Sequence, residues 1–519
     1  MNLSRRHFFA LGAGALAAAA GGCDQEKQAG ASLLRWVGKP TAPPLEGPLT
    51  APAAVEIDET SHVLNRLTFG PRPGEYARVA ALGTAAFIEE QLAPERIDDW
   101  MCDRVIRHEF DELNEPESHL FPRRGDQKDP LQQLFPALKE RGARVGDLYD
   151  IPEQALLSDI TRATILRAVL SKRQLYEVIA GFWSDHFNID PSKGECRWLK
   201  PADDRDVIRA HALGNFRELV RASAISPAML WYLDGRVNRR KSPEEKPNEN
   251  YARELMELHT LGVHGGYSQQ DVMEVARCLT GWTVRDKHRW QKGKVEFDPK
   301  EHDDGAKLVL GQTIPAGLGA ADLDRVLEIV VRHPSTARHI ATKLCRHFID
   351  DQPPKSAINT VAGVFAQTDG EIRHTLRALF STPEFLQTRG NKLKRPFHFV
   401  ASALRVTNAK TDGAQPIANA LLRMGHAPFR YPTPDGYPEA ANHWTNTLLW
   451  RWNFAANLAE NKLKGTEIDA AGLREKLGGD AALAATVLGR IPTAEEEQAY
   501  RGSGAGLALL LSTPAFQRC

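Results

Sequence analysis

The residues best suited to chemistry lie in the segment Asn248-Glu-Asn-Tyr-Ala-Arg-Glu-Leu-Met-Glu-Leu-His-Thr-Leu-Gly262. On a helix, at about 100° per residue, Asn250, Arg253, Glu254 and Glu257 share one polar stripe. Tyr251, Ala252, Leu255, Met256 and Leu258 cover the rest, and His259 lies within that apolar face. Two carboxylates at i and i+3 can share a cation or serve as an acid/base pair. Arg253 beside them can hold a carboxylate or an anionic substrate. As a site, Asn250, Glu254 and Glu257 would bind a divalent metal or do acid/base work, and Arg253 would hold the substrate. As a plain helix face, the same stripe would carry solvated local ion pairs, and the pattern by itself favours that reading.

A second aromatic-rich segment, Phe182-Trp-Ser-Asp-His-Phe-Asn188, would bring His186 towards this stripe from a neighbouring helix, as a further ligand or catalytic group. His186 projects to the apolar side with Ile179 and Phe182, where a core histidine is the commoner outcome. Ser268 to Asp271 reads as a capping box and not as part of a site. His302, Asp303 and Asp304 have metal-capable side chains on a turn of the kind that usually faces water. Pro432-Thr-Pro-Asp-Gly-Tyr-Pro438 is a rigid turn, because its prolines fix φ and Gly436 permits positive φ. It could present Asp435 and Tyr437 to a pocket or brace the C-terminal helices. There is no Walker A loop, GxGxxG after a strand, GxSxG elbow or HExxH.

The elements that must position these residues are helices. From Ile57 onward, amphipathic periodicity follows amphipathic periodicity, which predicts a mainly α, multi-helix globular body with at most a small β-hairpin. The hairpin candidate pairs Lys294–Asp298 with Lys307–Gly311 around the His302–Gly305 turn. Residues 112–150 read as a charged insertion and Arg236–Lys246 as a mobile loop. The echo between Leu379-Phe-Ser-Thr-Pro-Glu-Phe385 and Leu510-Leu-Ser-Thr-Pro-Ala-Phe516 is a helix stop and restart, with a hydroxyl cap before a proline.

The N-terminus reads as an export signal. Arg5-Arg6 precede Phe8-Phe9 and an apolar run from Ala10 to Ala20, short of the roughly 20 residues a membrane span needs. A basic start, an apolar middle and a small-residue exit describe a signal peptide over residues 1–22, with twin-arginine character. Ala20-Gly-Gly-Cys23 resembles a lipobox with Cys23 as the lipidated first mature residue. Residues 23–55 then form the lipid anchor and a proline-rich tether, and 56–519 the body, with two lobes dividing near 315. These features predict an exported periplasmic protein, membrane-anchored through its N-terminal lipid. Hydrophobic content of 42% supports a sizeable core. Lys+Arg and Asp+Glu are both 66, and this balance argues against a nucleic-acid partner. Cys102, Cys196, Cys278, Cys345 and Cys519 form no C-x-x-C pair, and their odd number leaves at least one free thiol.

The sequence resembles the bacterial domain-of-unknown-function 1800 family (DUF1800) from about His62 to Gln517. The resemblance rests on Phe182-Trp183 with His186-Phe187, Pro227-Ala-Met229 with Tyr232-Leu-Asp234, and Asn248 to Leu255 leading into Leu279-Thr-Gly-Trp282. It continues through His302, Lys307 and Gly311, then His333-Pro334, Lys343-Leu344 and the Pro432–Pro438 turn. Asp185 stands where asparagine is expected, and His426 where glutamine is usual. The resemblance implies an envelope role beside a sulfatase- or phosphatase-like (DUF1501-like) exported partner, and it supplies no catalytic residue. Two readings follow. One is an envelope enzyme, metal-dependent in one form, acting on an envelope polymer or anionic metabolite. The other is a non-catalytic lipoprotein that scaffolds or matures an exported partner.

Overall fold

The body begins where the sequence supplies a helix start. Asp58 accepts a hydrogen bond from the Ser61 N–H at 2.7 Å and opens α1 (Glu59–Leu67), satisfying a donor that a helix N-terminus leaves free. The computed structural model describes residues 40–116, 153–242, 244–286, 291–501 and 506–519. The signal segment, Cys23 and most of the 112–150 insertion lie outside the described residues.

The architecture is mainly α. Thirteen helices matter here: α1; α2 (Glu153–Leu170); α3 (Gln174–His186); α4 (Asn250–Glu254); α5 (Gln269–Cys278); α6 (Asp322–Val331); α7 (Pro334–Phe348); α8 (Lys355–Gln367); α9 (Ile372–Phe380); α10 (Pro396–Val406); α11 (Gln415–Arg423); α12 (Leu448–Ala459); and α13 (Gly506–Ser512). Helix α2 buries residues all round, from Leu156 and Ile160 to Ala168 and Val169, and packs against α3, α10 and α11. A helix apolar on every side must lie inside. Helix α3 buries Leu175, Val178, Ile179, Phe182, Trp183 and His186 at helical spacing. Helices α7, α8 and α9 pack in succession, and α12 lies on α13.

Among the described residues the β structure is three two-stranded antiparallel sheets. The expected hairpin is corrected in its pairing. Strand β1 (Trp282–Val284) pairs with β2 (Val295–Phe297), and β3 (Lys307–Val309) pairs with β4 (Gln312–Ile314). The latter two close around Leu310-Gly311, both at positive φ, as a tight hairpin turn requires. The His302–Gly305 turn cannot serve as a solvent-facing hairpin tip, because His302 and Asp303 are buried. Asp303 accepts from Arg277 Nε at 2.7 Å and also pairs with Arg240. Lys307 and His302 both contact Asp322 on α6. The third pair is β5 (Lys410–Thr411) with β6 (Thr466–Glu467). Arg236–Lys246 is likewise anchored: Asn238 is buried and its amide donates to the Ala276 carbonyl at 2.8 Å.

Local signals hold where chemistry is local. Ser268 and Asp271 form the capping box that opens α5. Thr382 and Thr513 each accept from the N–H three residues on, at 3.4 and 3.2 Å. All five cysteines beyond Cys23 are free and buried.

Candidate functional site

The Asn248–Gly262 segment changes its winding partway along. After α4 it continues as a π-helix over Leu255–Thr260, with the Leu261 N–H reaching the Met256 carbonyl at 2.8 Å. Such turns are rare and recur at functional sites. The segment stops at Gly262, which has a φ of 83°, so its last carbonyls lack helical donors. Two of them accept imidazoles: His339 Nε2 lies 3.2 Å from the Leu258 oxygen, and His186 Nε2 lies 3.1 Å from the His259 oxygen.

That contact fixes the tautomer of His186. A carbonyl only accepts, so Nε2 carries the hydrogen and Nδ1 presents its lone pair. Nδ1 lies 2.8 Å from Lys343 Nζ on α7. Burial, with Lys343 and two neighbouring histidines, holds the His186 imidazole neutral, well below the ordinary range. Burial also lowers Lys343 to about 8, against the opposing charges of Asp185, Glu439 and Asp435. The amine is thus poised near neutrality, as a buried lysine can be.

Lys343 and His186 open onto a cleft of about 390 Å³ whose other walls include Arg346, Asp351, Asp435, Tyr437, Glu439 and His443. Asp185, in the last turn of α3, lies 2.8 Å from Arg395. The same guanidinium lies 3.5 Å from Glu439, which also accepts from His347 Nδ1 at 2.7 Å and faces Lys392 at 3.6 Å. Lys392 reaches Asp351 at 2.7 Å. The two carboxyls diverge. Burial pushes Asp185 up despite Arg395. Burial also acts on Glu439, but Arg395, His347 and Lys392 outweigh it and hold that group well below the carboxylate range. Asp185, Tyr437 and Glu439 form the partition between this cleft and a second pocket of about 110 Å³. Asp185 and His426, the two departures from the expected family residues, both line that second pocket.

The Pro432–Pro438 turn both braces and lines. Asn188 donates its amide to the Tyr431 and Thr433 carbonyls at 2.9 and 2.7 Å, and the Tyr232 hydroxyl donates to the Pro432 carbonyl at 2.9 Å. Gly436, with φ 74°, sits where a Cβ would lie 2.0 Å from the Asp185 carbonyl oxygen. Only glycine permits both the dihedral and the approach.

The acidic stripe sits beside this site and does not line the cleft. Asn250, Arg253, Glu254 and Glu257 are half-buried. The Asn250 amide donates to the Leu233 carbonyl at 3.1 Å. Arg253 bonds Glu249 at 2.9 Å and Gln269 at 2.7 Å, and Glu257 accepts from Tyr267 at 3.4 Å. Glu254 is pushed up by burial and by the charges of Glu257 and Asp435, which puts it near the cleft's margin. His186 meets the backbone of this segment, not its carboxylates. Among the described residues no three His, Cys, Asp or Glu side chains converge to hold a metal. Both nitrogens of His186 are already engaged, so Asn250, Glu254, Glu257 and His186 do not form a ligand set. The sequence pointed to His186 and to the Asp435–Tyr437 turn, but not to Lys343, Arg395, Glu439, His347 or Lys392 as site residues. The signal for Lys343 was the Lys343-Leu344 pair among the family-like pieces.

A family model described as a protein of unknown function, DUF1800, matches residues 62–518. No curated protein and no solved structure matches the chain. The match takes in every residue of the cleft and its partition, and the chain belongs to the DUF1800 family.

Proposed function

We propose that the protein is an exported, lipid-anchored envelope enzyme that carries out acid–base chemistry on an anionic metabolite or envelope polymer. Export rests on the Arg5-Arg6 signal and anchoring on Cys23. The observation that carries the site is the Lys343–His186 pair on the cleft wall. Unprotonated Lys343 is the base, and the neutral His186 imidazole orients it and accepts a hydrogen bond from its protonated form. Arg346 and His443 on the same walls suit an anionic group. Asp185, raised by burial, and Glu439, held down by Arg395, His347 and Lys392, give the partition two carboxyls whose acidities are pushed apart, the separation that acid–base sites use. Glu254, also raised, is a second acid candidate at the margin. The donor set does not fit a divalent metal, and no step is assigned to one.

The test is competitive acetylation of the full chain with trace acetic anhydride, read at Lys343 by mass spectrometry across pH. Half-maximal reactivity near pH 8 is expected; a value near 10.5, the ordinary lysine value, overturns the assignment. In the native host, Lys343→Met and Lys343→Arg should both fail to complement a deletion, because arginine cannot deprotonate. Full complementation by either variant would leave scaffolding of a DUF1501-like partner as the function.

A further inference from the structure

Helix α12 turns part of its apolar content outward. Its buried face is Arg451, Phe454, Ala455 and Leu458. Leu448, Leu449, Trp450 and Trp452 are exposed, Leu449 at 59% and Trp452 at 48%. Leu422, near the end of the adjoining α11, is exposed too, and the Arg423 guanidinium lies 4.9 Å from the centre of the Trp450 ring. Other exposed large apolar residues, such as Val55, Trp100 and Val263, are scattered singly over unrelated elements. Single ones are ordinary on a protein surface, whereas a contiguous group marks an interaction site.

The segment that carries this group contributes no acidic residue to it. From Ala440 to Ala459 the sequence contains no Asp or Glu, in a chain of zero formal net charge. Arg423, stacked on Trp450, is exposed on the flank. Glu460, the first acid after the helix, is paired with Lys462. Tryptophan and leucine beside arginine are the composition of a helix lying in a membrane interface, where indoles take the headgroup level and cations meet lipid phosphates.

The N-terminal chain meets the segment that leads into α11. Thr41 and Thr411 exchange backbone hydrogen bonds of 3.0 and 2.9 Å, just before α11 begins at Gln415. Helix α11 spans about 14 Å, and Leu422 and Arg423 are at its far end. A chain the length of residues 24–39 spans at most roughly 55 Å, so a lipid on Cys23 would lie within range of the exposed face. This step rests on the export and lipidation reading above; the face itself does not.

We infer that α12 and the end of α11 form a face that seats on an anionic bilayer surface. Leu448, Leu449, Trp450 and Trp452 enter the headgroup boundary, and Arg423 meets the phosphates.

The test is flotation of the full chain carrying Cys23→Ala, with vesicles of phosphatidylcholine alone or mixed equally with phosphatidylglycerol. The same chain carrying Leu449→Asp and Trp452→Asp is the comparison. The two share their N-terminus, so their difference reports the face alone. Salt-sensitive binding to the anionic vesicles is expected, reduced roughly tenfold or more in the double variant with an unchanged melting temperature. Equal flotation of both chains, or none with anionic vesicles, overturns the proposal. So does a dimer seen by light scattering that the double variant abolishes, since the face would then be a contact between copies. Release of Cys23→Ala protein from cell membranes tests lipidation separately, so the two readings can fail independently.

Discussion

Lys343 and His186 are 157 residues apart in the chain, yet Nζ of one lies 2.8 Å from Nδ1 of the other. The imidazole is locked by the His259 carbonyl, so the lysine meets a lone pair instead of a second donor. Burial lowers the basicity of Lys343 against the charges of Asp185, Glu439 and Asp435, while the His186 lone pair fixes where its Nζ sits.

Stability should therefore depend on pH on both sides of neutrality. Folding lowers Lys343 from 10.5 to about 8. Between those values the unfolded chain binds the extra proton, so the Lys343 contribution to stability should rise as pH climbs through the window. Lys394 is lowered to about 8 in the same way, and the buried thiols of Cys196, Cys278 and Cys345, pushed up to about 12, act in the opposite direction above about pH 9. The Lys343 share is therefore the difference between the parent and Lys343→Met curves. On the acid side, His62 and His259 are held down to about 3 and His339 to about 4, each chiefly by burial. Below about pH 6.5 the unfolded state takes up protons that the folded state refuses, and stability should fall steadily towards pH 4. Urea denaturation across pH checks both; a flat acid limb would show that these imidazoles are not buried neutral.

The two carboxylates on Arg395 should differ in structural weight. Glu439→Gln leaves Arg395, His347 and Lys392 short of their shared counter-charge, and breaking such a buried cluster costs roughly 3–5 kcal/mol. Asp185→Asn removes a carboxyl that burial already disfavours as an anion, and it should shift stability by about 1 kcal/mol or less. Chemical denaturation of both variants measures the contrast, and equal losses would refute it.

Gly436→Ala should be costly despite its small size. It places a methyl on the Asp185 carbonyl and forces a left-handed dihedral on an L-residue. The loss should exceed about 1 kcal/mol, and the acetylation profile of Lys343 should return towards that of an exposed lysine. A stable variant with an unchanged profile would mean that the turn does not set the cleft.

Export has its own test. Replacing Arg5 and Arg6 with lysine should retain the precursor in the cytoplasm, and Cys23→Ala should free the mature protein from the membrane fraction. Cell fractionation reads both, and membrane-bound Cys23→Ala protein would rule out the lipid anchor.

Family membership and mainly helical character were legible because they are carried by periodicity and by contiguous motifs. The Ser268 cap and the Gly436 turn were legible because their determinants lie within a few residues. The β pairing was misread where His302-Asp-Asp-Gly305 resembled a surface turn, when the buried Arg277 and Asp322 contacts hold it inside. The stripe of Glu254 and Glu257 attracted attention because one helix displays it. The Lys343 site could not be seen that way: Asp185, Lys343, Arg395 and Glu439 come from four separate parts of the chain, and no spacing rule joins them.

The clamp of Asn188 on Tyr431 spans 243 residues. Loop closure over such a distance comes late and slowly in folding. The cleft therefore has no partial form, because a chain lacking its last quarter holds Lys343 and His186 without the wall opposite them. If the twin-arginine signal is used as proposed, the pocket is finished in the cytoplasm and carried across the membrane complete.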